Sequence, residues 1–166
     1  MANRRARRIV IAVACATALA LALVILVVTR RHGAEFDPLN GAESDPLIAD
    51  FRGTERRCIQ AFNDALHRQR ANDIDELGLA DTIDRSVLPP WRQIRARVDA
   101  VTDIPERKRA LFRALKTYLA DRQLAWEAYS AGLRAPSEEA ARPLLDTYHQ
   151  KNSQAVDDAR VVAPLL

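Results

Sequence analysis

The stretch FRALKTYLADRQLAWEAYSAGL, residues 112–133, decides the fold. Its apolar positions Phe112, Leu115, Leu119, Trp126, Tyr129 and Leu133 recur with gaps that alternate between three and four once Arg122 is counted in. A helix turns once in about 3.6 residues, so this period draws a single apolar stripe down one face. The one charged slot in the stripe is Arg122. Asp103 as a cap, Pro105 near the first turn and a close around Gly132 set the expected limits of the helix.

Working outward, two other segments carry the same signature. From Leu47 to Ala71 the stripe is Ile48, Phe51, Cys58, Phe62 and Ala65, with Glu55 and Gln69 in the remaining slots. After Ser137, a cap followed by Glu138 and Glu139, it is Ala141, Leu145, Tyr148, Ala155, Ala159 and Val162, with Asn152 in the vacant slot. Pro143 is expected to kink that helix or delay its start. A shorter helix from Pro90 to Val101 places Trp91, Ile94, Val98 and Val101 together. Between the first and second helices lies the acidic segment NDIDELGLADTIDRSVLPP, residues 72–90, interrupted by Gly78 and by Pro89-Pro90.

The chain also begins with a feature of a different kind. From Ile9 to Val28 no residue is charged, and as a helix that run covers about 30 Å, the thickness of a bilayer's hydrocarbon core. The run ends at Thr29, Arg30 and Arg31 without a small-residue cleavage site, so an anchor is expected rather than a cleaved signal. Arg4, Arg5, Arg7 and Arg8 precede it, which favours a cytoplasmic N-terminus. The linker HGAEFDPLNGAESDP follows, with two Asp-Pro-Leu repeats. The expected organisation is a basic cytoplasmic tail over 1–8, a transmembrane helix over 9–29, a linker over 30–46 and an extracytoplasmic domain over 47–166. The fold class is all-α: the transmembrane helix followed by an antiparallel helical bundle of four helices, one of them broken at Pro89-Pro90.

Charge excludes one class of function. Six of the 25 basic residues flank the uncharged run while all 22 acidic residues lie beyond it, which leaves 19 bases against 22 acids for the remainder, a net −3. With no excess positive charge there, nucleic acid is not an expected partner. The expected partners are the lipid bilayer, through residues 9–29, and a membrane or extracytoplasmic protein, a second copy of the chain included.

The candidate chemistry is sparse. Glu55 and Arg122 interrupt apolar stripes, and burying either charge alone costs about 3–5 kcal/mol, so the two are expected to pair across the bundle and fix its register. Asn152 and Gln69 are milder polar interruptions of the same kind. Asp73, Asp75, Gly78, Asp81 and Asp84 occupy positions whose spacing resembles part of an EF-hand calcium loop, although Leu77, Ala80 and Asp84 stand where that loop places an oxygen ligand, a larger aliphatic and a glutamate. Arg107, Lys108, Arg109, Arg113 and Lys116 make the start of the third long helix basic, against its own dipole, which suggests an external use such as anionic headgroups or an acidic partner. His32, His67 and His149 show no metal-ligand spacing, no Gly-rich phosphate loop or nucleophile elbow occurs, and no cofactor is expected. Cys58 reads as a small core residue. The expected function is protein interaction or scaffolding at the outer face of the cytoplasmic membrane. The alternative is a ligand-binding or sensing bundle around Glu55 and Arg122 that signals laterally. A tethered enzyme, the third reading, would gather Glu55, Arg122, Cys58 or His149 in a deep pocket.

Overall fold

The computed structural model describes residues 45–166, and all regular structure in them is helical. Helix α1 spans Pro46–Arg70. Helix α2, Glu76–Thr82, runs through a π-helical turn at Ile83–Val87 into α3, Leu88–Asp99. A short 3₁₀ turn, Glu106–Lys108, leads into α4, Arg109–Leu133, and α5 spans Glu138–Val162. Among the described residues no helix is long and apolar enough to cross a membrane; the expected span at 9–29, with the tail before it and the linker up to residue 44, lies outside them.

Local chemistry sets the ends. Asp45 caps α1 by accepting from the Leu47 N–H, and Pro46 stands in the first turn, where a missing N–H costs nothing. The helix closes in a Schellman turn: the Asp73 N–H bonds the Arg68 carbonyl and the Asn72 N–H that of Gln69. Asn72 there takes a φ of 63°, the left-handed conformation that asparagine tolerates better than most side chains. Ser137 caps α5 through the Ala140 N–H.

Three expectations about the elements are corrected. The proline pair does not break the second rod, because the Leu88 N–H reaches back five residues to the Ile83 carbonyl, and the wide turn admits both prolines in the first turn of α3. Asp103 does not cap α4, which starts at Arg109 with no side-chain cap. Pro143 lies inside α5 without delaying its start at Glu138.

Contacts at the helix ends establish an up-down-up-down order. Near the start of α1, Asp50 pairs with Arg97 of α3, Asp45 with Lys108 ahead of α4, and Arg52 donates to the Leu166 carbonyl beyond α5. At the other end Arg134, after α4, pairs with Asp81 and Asp84. The core between them is aromatic. Trp91 is fully buried, donates its indole N–H to the Leu119 carbonyl at 3.0 Å, and meets Phe51, Tyr118 and Trp126 edge-on. Phe62 extends the network to Trp126 and Tyr129, and Tyr129 stacks on Tyr148 of α5 at 4.5 Å. Helix α5 packs its backbone along α4 and makes no comparable approach to α1.

The α4–α5 pair packs closely at Gly132, where an added Cβ would lie 3.0 Å from Leu145 Cδ2. Gly132→Val is expected to lower stability by about 1–3 kcal/mol through overpacking. Gly53→Ala, whose new Cβ meets only the mobile end of Arg57 at 3.4 Å, is expected to raise stability by about 0.5–1 kcal/mol. Urea unfolding of the two variants checks both signs.

Candidate functional site

Three long helices contribute to one polar layer inside the bundle. Arg122 occupies the predicted charged slot of α4 and is only 3% exposed. Its Nη1 donates to Asn152 Oδ1 of α5 at 2.7 Å. Its guanidinium carbon lies 5.8 Å from the Tyr118 ring centroid and 5.7 Å from that of Trp126, close enough for cation–π attraction. Nε and Nη2, by contrast, are buried and have no hydrogen bond of normal geometry among the described residues.

Glu55 of α1 belongs to the same layer, but it does not form the direct ion pair the stripes suggest. Its Oε1 accepts from the Tyr118 hydroxyl at 2.5 Å, and the arginine acts on it only through space. Burial pushes the Glu55 carboxyl above the usual carboxylate range; the Tyr118 hydrogen bond and the charges of Arg122 and Arg52 pull the other way. Burial and the neighbouring Glu55 push the Tyr118 hydroxyl up in turn. Gln69 takes no part, since it lies in the last turn of α1, about 21 Å along the helix from Glu55.

The aspartates of the acidic segment do not form a calcium loop. Residues 76–99 are helical throughout, so Asp81 and Asp84 stand on a helix and turn toward α4, where Arg134 takes both and Ser130 donates to Asp84 at 2.7 Å. Burial raises the Asp84 carboxyl, but Ser130 and Arg134 outweigh it and hold the group below its ordinary value. Asp75 caps α2 through the Gly78 N–H, and Asp73 closes the turn after α1 through its own N–H. Among the described residues no group of three or more His, Cys, Asp or Glu side chains gathers as metal ligands.

The basic start of α4 is partly engaged. Lys108 binds Asp45 at 2.8 Å, Arg109 pairs with Glu106, and Lys116 donates to the Asp99 and Val101 carbonyls that close α3. Arg107 and Arg113 are exposed and have no side-chain partner among the described residues. Cys58 is buried, and its thiol points to the Val87 carbonyl at 3.5 Å. His149 stands against the Tyr148 ring. Neither joins Glu55 and Arg122.

Sequence periodicity does not identify Tyr118, which lies beside the stripe rather than in it, yet Tyr118 connects the two charges. The ion pair of Lys151 with Asp121, which flanks this layer between α5 and α4, also has no periodic signal. No protein-family model, curated protein or solved structure matches the chain.

Two measurements follow from these environments. A carboxyl whose pKa is raised by folding binds its proton more tightly in the native state, so its contribution falls as pH rises from the unfolded value through the folded one. Glu55→Gln keeps an acceptor for Tyr118 and removes that loss; thermal melts should show its advantage over the native chain growing as pH rises above about 4. Cys58, pushed up to about 11 by burial, should resist a thiol reagent in the folded protein and react on unfolding, measured in a chain carrying Cys15→Ser.

Proposed function

We propose that the protein is a single-pass membrane protein, anchored through residues 9–29 with its N-terminus in the cytoplasm, whose extracytoplasmic bundle binds another membrane or extracytoplasmic protein. The observation that carries this reading is the contact between Lys108 and Asp45. It sets the basic start of α4 beside the residue at which the chain enters the bundle. The fifteen residues from Arg30 to Ser44 can span at most about 50 Å when fully extended. On this reading Arg107 and Arg113 are presented at the tethered end of the bundle.

Unused pairing capacity supports an external role for these two side chains. Cations at the first turn of a helix oppose its dipole at a cost of about 0.3–1 kcal/mol each, an effect that falls off beyond that turn and so bears on Arg107 and Lys108. Lys108 and Lys116 are engaged inside the bundle, by Asp45 and by the open carbonyls that end α3. Arg107 and Arg113 have no side-chain partner within the described residues, and an acidic surface on a partner would complement them. The reading also accounts for the sequence as a whole: a tether, a rigid helical body and a charged face at its near end.

The test is site-specific photocrosslinking of the full chain in its native membrane. Crosslinkers at positions 107 and 113 are expected to give the same discrete adduct, and one at position 68, exposed at the far end of α1, is expected to give none. Arg107→Glu should weaken the adduct formed from position 113. Indistinguishable adducts from all three positions, or none from 107 and 113, would overturn the reading.

A further inference from the structure

Arg122 carries an anomaly that its structural role does not use up. Buried donors are almost always paired, yet this guanidinium, 3% exposed, leaves Nε and Nη2 without a hydrogen bond of normal geometry among the described residues. The two free N–H groups share one edge of the planar fork. Carboxylates engage that edge with two parallel hydrogen bonds, the strongest neutralisation available to an arginine. The opposite side is already fixed, with Nη1 held by Asn152 at 2.7 Å. The faces of the fork lie near Tyr118 and Trp126. The group is thus oriented on three sides and open in its bonding on the fourth.

We infer that the free edge of Arg122 is a binding site for a small carboxylate, held in the layer formed with Glu55, Tyr118 and Asn152. Size follows from burial: the two nitrogens are covered, so what reaches them is a free small acid and not a side chain of a docked protein. Charge selects a monoanion. One guanidinium supplies one positive charge, and Glu55 close by disfavours a second negative one on the ligand. The same charge argument sets a carboxylate above inorganic phosphate, which carries more than one negative charge at neutral pH.

The proposed route in is the seam between α1 and α5. These helices do not approach each other as α4 and α5 do, and Glu55 and Asn152 are each partly exposed along it. Glu55 is also the internal competitor for the site. Its carboxylate belongs to this layer, and it hydrogen-bonds to Tyr118 instead of occupying the arginine's free edge. Removing its charge should favour the ligand. The inference goes beyond partner binding and does not depend on what docks at Arg107 and Arg113.

The experiment is a titration of the full chain in detergent with sodium formate and sodium acetate, with sodium chloride matching ionic strength and inorganic phosphate as the tetrahedral comparator. Two readouts are followed: the melting temperature and the Arg122 Nε–Hε resonance in a ¹⁵N-labelled sample. Formate or acetate is expected to raise the melting temperature saturably and to shift that one resonance, while chloride and phosphate do neither. Arg122→Met should abolish the thermal shift, and Glu55→Gln should tighten binding about tenfold, the equivalent of about 1.4 kcal/mol. The resonance readout needs no variant, so it decides the matter even if Arg122→Met fails to fold. An unmoved Nε–Hε resonance at saturating formate, or an equal response to chloride, would overturn the inference. A phosphate response equal to that of formate would overturn its carboxylate selectivity.

Discussion

A guanidinium that lies among aromatic rings, with no carboxylate touching it, constrains everything near the centre of this bundle. Arg122 cannot be turned out to solvent without pulling its position out of the α4 stripe, since Leu119 and Trp126 on either side are themselves buried. The surrounding helices must therefore supply its polar neighbours. Helix α5 contributes Asn152, and α1 contributes Glu55, which reaches the layer through Tyr118. Two of the predicted stripe interruptions thus meet the third, each by a route set by helix geometry. Replacing such a layer with apolar residues often adds stability, so its presence is better explained by specificity or binding than by strength.

The architecture was legible because amphipathic period is a direct record of burial. Every apolar position in the stripes of α1 and α4 except Leu133 is buried, and on α5 the fully buried side chains are Tyr148, Ala155 and Val162. Ser137 announced the start of α5 for an equally local reason, a hydroxyl poised to accept from an exposed N–H. The second rod was read poorly, since a proline pair normally ends a helix and nothing in residues 83–87 announces a turn one residue wider. Asp103 failed as a cap because the chain first makes a 3₁₀ turn at Glu106–Lys108. The candidate site was half legible. Periodicity marks which slots are polar, but it does not say whether two charges meet directly or through a hydroxyl on a neighbouring turn.

Charge told a similar story at larger scale. Two of the aspartates that resemble a calcium loop in spacing, Asp81 and Asp84, are claimed by Arg134, fifty residues away from Asp84, and only the folded chain shows that pairing. The basic run before and within α4 divides into residues that tie helix ends together and residues that do not. Lys108 and Lys116 sit over acceptors left by the starts and stops of other helices, which a linear reading treats as equivalent to Arg107 and Arg113. Surface function, like core packing, emerges from what remains after the fold has used its own side chains.

Gly132 carries a consequence for the descent of this sequence. The missing side chain lets α5 settle against α4 where Leu145 fills the space, with its Cδ2 and Cγ 3.0 Å and 3.3 Å from the point a Cβ would occupy. Volume at the two positions is therefore shared, and neither can drift alone. A lineage that acquires a side chain at 132 must shed one at 145 in compensation, so this pair should vary in concert wherever the hairpin of α4 and α5 persists.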